Sequence, residues 1–183
     1  MMRSTLIAML ALGLATGGVA HADATPPATG PVINGFGPHY PVAAPGFATI
    51  TDSDYRVVFD VARSDQDADT VNPRIETAAR FLNMHAANGV NPARMRLALV
   101  IHGAAAGDVL SDSAYKQRNG ITNPNAPLIA QLTAAGVEFV VCGQTAAHRG
   151  FSADEFAPNV ELALSAMTAL VTLQNNGYAL IQF

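Results

Sequence analysis

Two near-continuous apolar runs constrain the fold of this chain more than any other feature. They cover residues 95–102 and 137–142, and a glycine follows each of them, Gly103 and Gly143. Short runs of this kind are typical of parallel strands that are covered on both faces. The second run ends in Cys142, the only cysteine of the chain. We therefore expect Cys142 at the carboxyl end of a strand, the edge of an open α/β sheet where ligands and reacting groups gather.

Strand-like and helix-like segments alternate along the rest of the chain. Further strands are predicted at residues 55–62, 160–165 and 178–183. Between them lie helical patterns, the first opened by Asn72-Pro73 with its favourable cap, whereas residues 111–123 are predicted to form a polar loop. This alternation with short connections predicts a single α/β domain. Its fold class is a three-layer α/β/α sandwich with a five-stranded, mostly parallel sheet.

The first residues predict the compartment. Arg3 precedes a short apolar segment, residues 6–15, and Ala20-His21-Ala22 fits the small-x-small pattern of a signal peptidase site. The apolar segment is too short for a comfortable membrane span. We therefore expect a signal peptide over residues 1–22 and a soluble, exported, periplasmic protein.

A segment rich in proline and glycine, residues 23–54, follows the expected cleavage site. Its prolines exclude a helix or a central strand, yet its apolar residues are too many for a free linker. It is predicted to form an extended arm over the domain or over a neighbouring subunit, with a flexible spacer as the alternative. The folded domain is predicted over residues 55–183.

The composition excludes several classes of function. The formal charge of −4 becomes −5 (−4 − 1) without Arg3, and Lys116 is the only lysine. Without a basic cluster, nucleic acids and anionic membranes are poor partners. A single cysteine forms no disulfide within the chain. Cys142 is therefore a buried inert thiol, an intermolecular bridge or a reactive group.

His102 and Cys142 fall at equivalent places, each at the end of a strand and before a glycine. If the two strands are neighbours, their ends lie about 5 Å apart. A histidine beside a thiol stabilises the thiolate and so lowers the pKa of the thiol. Gln144 and Thr145 follow with further hydrogen-bonding groups, so catalytic roles are predicted for Cys142 and His102, and substrate contacts for Gly103, Gly143, Gln144 and Thr145. The alternatives are a cysteine that fills the core and a histidine satisfied at a strand end.

Other chemistries find less support in the sequence. The spacing of Cys142, His102 and His148 matches no established metal-ligand motif. The chain has neither the G-x-S-x-G elbow of a serine hydrolase nor a glycine-rich phosphate loop. Neither a metal nor a cofactor is expected.

Several segments together resemble the DsrE/DsrF-like family. They are residues 100–103 (VIHG), 134–143 (AAGVEFVVCG) and 164–174 (LSAMTALVTLQ), with Gly177-Tyr178. The resemblance runs from about residue 55 to residue 183, and the arm at 30–38 is similar to that of exported members. It implies a five-stranded, mostly parallel sheet between helices and assembly into trimers or hexamers. In cytoplasmic sulfur-relay members a cysteine carries sulfur as a persulfide, and Cys142 is similar in position.

The leading hypothesis is thus a periplasmic sulfur carrier or sulfurtransferase that holds sulfane sulfur on Cys142 and exchanges it with donor and acceptor thiols. It differs from the cytoplasmic members in compartment and therefore in partners. A second hypothesis is a non-catalytic oligomeric binding or scaffold protein in which Cys142 belongs to the core. A third is a small-ligand pocket at the strand ends without a covalent step.

Overall fold

A computed structural model describes residues 25–64 and 67–182 of the chain. The predicted signal peptide at 1–22 lies outside these residues. The strands are β1 (Tyr55–Val61), β2 (Met95–Ile101), β3 (Glu138–Cys142), β4 (Val160–Ala163) and β5 (Ala179–Gln182). The helices are α1 (Pro73–Ala87), α2 (Asp112–Asn119), α3 (Ala126–Ala134), α4 (Gly143–Arg149) and α5 (Ala166–Asn175).

The five strands form one sheet in the order β4-β3-β2-β1-β5, and all four strand pairs are parallel. The chain therefore moves across the sheet in one direction from β1 to β4 and then returns to the far side of β1. Crossovers between parallel strands are right-handed almost without exception. A return in the opposite direction consequently places α5 on the opposite face from α1. The predicted fold class is confirmed.

Two apolar clusters separate the two faces of the sheet. The larger includes Phe59, Leu99 and Phe139 from the strands and Ile75 and Leu128 from α1 and α3. The smaller lies under α5 and consists of Val58, Ala98, Val100, Cys142, Ala166, Ala169 and Leu173. Because side chains alternate along a strand, the residues of β1, β2 and β3 divide between the clusters in steps of two.

Local signals explain where the helices on either side of the sheet begin. Asn72 caps α1, since its side chain accepts a hydrogen bond from the amide of Arg74, and Pro73 occupies the first turn. Ser165 caps α5 in the same way, with its hydroxyl 3.1 Å from the amide nitrogen of Thr168. These two caps fix where the chain enters each of the two outer layers.

The sequence-based prediction of a polar loop at 111–123 is wrong for most of that segment. Residues Asp112–Asn119 form α2, which Ser111 caps and which ends at Gly120 in a left-handed conformation. Only Ala114 and Tyr115 of this helix are buried. A helix with so narrow an apolar side shows almost no hydrophobic periodicity, so the pattern did not reveal it.

Part of the proline-rich segment is fastened to α1 by one buried side chain. The carboxamide oxygen of Asn83 accepts hydrogen bonds from the amides of Val32 and Ile33, at 3.0 and 2.8 Å. Its nitrogen donates to the carbonyl oxygens of Ile33 and Phe36. Gly37 lies so close to α1 that a Cβ atom there would come within 2.3 Å of the backbone nitrogen of Arg80. Whether residue 55 marks the domain boundary stays a prediction.

Within residues 25–64 and 67–182, no helix combines the length and the apolarity that are needed to span a bilayer.

Replacing Asn83 by Ala tests the attachment of the arm. The change leaves backbone groups of the buried Ile33 and the half-buried Val32 and Phe36 without partners, and we expect a loss of on the order of 2–4 kcal/mol in the free energy of unfolding. Chemical denaturation measures the loss, and limited proteolysis shows whether cleavage concentrates in the arm. Gln117→Ala on the exposed side of α2 is the matched control. An Asn83→Ala protein as stable as this control would contradict the prediction.

Candidate functional site around Cys142

Cys142 ends β3 and is followed at once by α4. Its backbone pairs with Ala163 of the edge strand β4, and its side chain points to the face that α5 covers. The residue is 5% exposed, among apolar neighbours. Burial of this kind favours the neutral thiol, so the fate of the sulfur depends on what donates hydrogen bonds to it.

Several donors surround the sulfur of Cys142. The amide nitrogen of Thr145 lies 3.4 Å from the Sγ atom. Burial by itself raises the pKa of Cys142. Hydrogen bonds from the hydroxyl and the amide of Thr145 and from the amides of Ala166 and Gln144 outweigh this effect and hold the pKa below its ordinary value. The buried sulfur thus has the surroundings of a stabilised thiolate. We call these donors, from Gln144, Thr145 and Ala166, the thiolate cradle.

The thiolate cradle is joined to β2 through the side chain of Thr145. The Oγ1 atom of Thr145 accepts a hydrogen bond from the amide of Gly103, at 3.3 Å. Because the oxygen accepts from Gly103, its own hydrogen is available to the sulfur. The first turn of α4 is thereby held against the end of β2.

Two glycines leave room for these contacts. At Gly103 φ is +56°, and a Cβ atom would meet the carbonyl oxygen of Ala62 at 2.7 Å. At Gly143 a Cβ atom would meet the carbonyl oxygen of Ala163 at 2.6 Å. Both obstacles are backbone atoms that no side-chain rotation removes. These glycines therefore allow two backbone segments of the same chain to approach each other closely. Substrate contacts at Gly103 and Gly143 stay predictions.

The structure places His102 beside Cys142 in the sheet but gives it another partner. β2 and β3 are neighbours as expected, with Ile101 opposite Val141 in the residues just before the pair. The Nε2 atom of His102, however, lies 2.7 Å from the Oδ1 atom of Asp60. The groups that set the pKa of Cys142 belong to the thiolate cradle, so an effect of His102 on that pKa stays a prediction.

His102 belongs to a polar group with Asp60 and Gln182, and the latter two were not singled out as site residues from the sequence. The side chain of Gln182 donates from Nε2 to the Oδ2 atom of Asp60, at 2.6 Å. Asp60 and Gln182 are 122 positions apart, and their meeting depends on β5 pairing with β1. A lone carboxylate near the end of a strand was the only available signal.

Cavities lie elsewhere in the molecule. One of about 390 Å³ runs between α3 and residues 157–159, and its walls include Leu110, Ile129 and Thr133. A more polar one of about 260 Å³ is lined by Asp108, Tyr115 and Arg149 among others. Neither lining includes Cys142 or His102. Across the described ranges no group of three or more His, Cys, Asp and Glu side chains is placed to hold a metal ion.

Comparison with known proteins agrees with this arrangement. The model of the DsrE/DsrF-like family matches residues 56–183, which include every strand and helix described above except Tyr55, the first residue of β1. The chain belongs to the DsrE/DsrF-like family. No curated protein matches it. A solved structure of a protein of unknown function from Methanobacterium thermoautotrophicum is similar, with 21% identity and a TM-score of 0.50, over 71% of this chain and 100% of that one. At this identity the likeness shows the fold alone.

The pKa of Cys142 gives a testable pH dependence. Because the thiolate cradle lowers this pKa, we expect alkylation by iodoacetamide to reach half of its maximal rate below the midpoint of an ordinary cysteine, about pH 8.5. Thr145→Val removes the hydroxyl donor and keeps the size of the side chain. It should slow alkylation at neutral pH roughly three- to tenfold and move the midpoint upward.

Thr172→Val on the exposed side of α5 is the control for this substitution. Mass spectrometry of the alkylated protein gives the rates. A midpoint at or above that of a free cysteine, or equal midpoints in the Thr145 and Thr172 variants, would rule out the role of the cradle.

Proposed function

We propose that this protein is a periplasmic sulfur carrier of the sulfur-relay type that holds sulfane sulfur as a persulfide on Cys142. The observation that carries the proposal is the thiolate cradle around a sulfur at the end of a central strand. A thiolate is the nucleophile in sulfur exchange. The fraction of Cys142 that is present as thiolate depends on its pKa, which the cradle lowers. Membership of the DsrE/DsrF-like family supports a sulfur-relay-type fold.

The proposed reaction balances without an oxidant. The Cys142 thiolate attacks the outer sulfur of a donor persulfide, R–S–SH, and a new S–S bond forms as the old one breaks. The products are Cys142–S–SH and the donor thiolate, R–S⁻. In the second exchange an acceptor thiolate attacks the outer sulfur of Cys142–S–SH, the S–S bond of Cys142 breaks, and the Cys142 thiolate is released. In both directions a Cys142 thiolate is formed or consumed, and the cradle stabilises it.

Export and donor identity belong to the same proposal. The segment expected to direct export, residues 1–22, supports a periplasmic location through its charge, its apolar stretch and its cleavage pattern. A periplasmic carrier meets other donor and acceptor proteins than a cytoplasmic one. Turnover as a sulfurtransferase requires both partners, whereas a carrier requires only reversible loading of Cys142.

Loading with inorganic polysulfide tests the proposed function. We expect the native protein to gain the mass of one sulfur atom at Cys142, because the thiolate attacks polysulfide as it attacks a persulfide. Dithiothreitol should remove the added sulfur, and Cys142→Ser should gain nothing. Intact-mass and peptide mass spectrometry measure both steps. A native Cys142 that stays unmodified from about pH 6 to about pH 9 would refute a reactive thiol.

A second candidate, an oligomeric scaffold without chemistry, is favoured by one specific observation. Met167 and Val171 on the outer side of α5 and Leu164, two residues before the helix, form an exposed apolar stripe, with exposures of 75%, 57% and 73%. From Leu162 to the end of the chain there is no Asp, Glu, Lys or Arg. A neutral apolar surface meets a second copy of itself without removing any charge from water. In this function Cys142 serves packing alone, and Cys142→Ala leaves both assembly and phenotype unchanged.

Both candidates include self-association through the stripe on α5. We expect Met167→Glu to reduce the assembly, a trimer or hexamer by family resemblance, to smaller species, because a carboxylate would be buried in an apolar interface. Sedimentation analysis measures the mass of the assembly. Ile121→Glu changes an exposed apolar residue in the segment after α2 and should leave the mass unchanged. A Met167→Glu protein that keeps the mass of the native assembly would exclude this surface.

A further inference from the structure

A hydrogen-bonded group of three side chains stands at the carboxyl edge of the sheet, next to Cys142. His102 and Asp60 are joined at 2.7 Å through Nε2 and Oδ1, and Gln182 donates to Oδ2 of the same carboxylate at 2.6 Å. The side chains of His102 and Asp60 keep 29% and 15% of their surfaces exposed. The group is therefore fixed in position and still open to solvent.

The register of the sheet explains why these residues meet. Asp60 lies opposite Val100 of β2 and opposite Gln182 of β5. Alternation along β1 and β2 directs Asp60 and His102 to the face of Val58 and Val100, which is the face of Cys142. Both carboxylate oxygens of Asp60 are held by neighbours, one from each side. The carboxylate consequently holds the imidazole ring of His102 in one orientation.

His102 directly follows β2, and Cys142 is the last residue of the neighbouring strand β3. Ile101 and Val141 are paired, so His102 and Cys142 follow at the ends of adjacent strands, whose backbones lie about 5 Å apart. Gly103, the next residue, donates to Thr145 of the thiolate cradle. From this register we expect an outer sulfur on Cys142 to lie next to His102, because the donors of the thiolate cradle contact the inner sulfur.

We propose that His102 transfers a proton between an incoming acceptor thiol and the outer sulfur of a Cys142 persulfide, and that Asp60 and Gln182 position it. The inference rests on the proposed function. It assigns His102 to the release of sulfur, a step separate from the formation of the Cys142 thiolate.

The need for such a group follows from the charge of a persulfide. As an anion, Cys142–S–S⁻ repels a thiolate. Its outer sulfur then acts as a nucleophile and does not react as the electrophile that sulfur transfer requires. His102 takes the proton of the acceptor thiol, R–SH, and gives it to the outer sulfur, which forms R–S⁻ and Cys142–S–SH. The acceptor thiolate then attacks the outer sulfur, the S–S bond of Cys142 breaks, and R–S–SH forms. Cys142 leaves as the thiolate that its cradle stabilises, with no net gain or loss of protons.

In this mechanism Asp60 orients the imidazole of His102. With its carboxylate at Nε2, the imidazole carries a hydrogen on that atom and uses the other nitrogen, Nδ1, for exchange. Asp60 itself does not touch the sulfur and is a positioning residue. Its loss should therefore matter only as long as His102 is present.

The test is a single-turnover transfer from the full-length protein. Cys142 is first loaded with polysulfide, excess reagent is removed, and the loss of the added sulfur to glutathione is followed by mass spectrometry. We expect His102→Ala to slow the transfer by about 100-fold, and added imidazole to restore part of the rate. His148→Ala, an exposed histidine on α4, is the matched control and should transfer at the native rate. His102→Gln replaces His102→Ala if the alanine variant does not fold by circular dichroism.

Asp60→Asn tests the positioning role. Alone it should slow the transfer by about 10-fold, and combined with His102→Ala it should add no further loss, because its effect passes through the histidine. Full additivity of the two losses would assign Asp60 a separate role and overturn that part of the proposal.

The outcomes separate this inference from the proposed function. A native protein that takes up no sulfur refutes both. A native protein that is loaded, together with a His102→Ala variant that transfers sulfur at the native rate, refutes the proton transfer and leaves the carrier function standing. A transfer rate that falls in His102→Ala without any response to imidazole also counts against proton transfer, since a loss of packing alone gives that result.

Discussion

The parallel hydrogen-bonded register of β1, β2 and β3 is the constraint on which the rest of the structure depends. It brings the ends of three strands to one edge of the sheet, and the alternation of side chains sends Asp60, His102 and Cys142 to one face. A slip of one residue in β3 would turn Cys142 towards the opposite cluster. The buried apolar residues of each strand resist such a slip, because every one of them would change faces with it.

The site combines two opposing effects on one sulfur atom. Burial under α5 disfavours charge, and the hydrogen bonds of Thr145, Gln144 and Ala166 favour it. The donors come from the first turns of two helices, α4 and α5, which follow the neighbouring strands β3 and β4. Thr145 is the most informative of these residues because its amide and its hydroxyl both act on the sulfur. A buried thiol without this set of donors would be an ordinary core residue.

The sequence predicted those parts of the fold that depend on local pattern. The apolar runs of β2 and β3, the terminal glycines and the cap of α1 are all visible within a few residues, and so is the position of Cys142 at a strand end. The helix α2 was missed because its two buried residues, Ala114 and Tyr115, make no periodic signal. The partnership of Asp60 with His102 and Gln182 was missed for another reason. It is created by the order of the strands, which places β5 next to β1 across more than a hundred residues of intervening chain.

The hydroxyl of Thr145 is shared between two strands, since it accepts from the Gly103 amide and donates to the sulfur of Cys142. A thiolate at Cys142 attracts the hydrogen of that hydroxyl more strongly than a neutral sulfur does, so a chemical change that neutralises the thiolate weakens this hydrogen bond. A rotated hydroxyl no longer offers the same lone pair to Gly103, which directly follows His102 in the chain. One rotatable hydroxyl therefore links the buried sulfur of Cys142 to the backbone that directly follows β2.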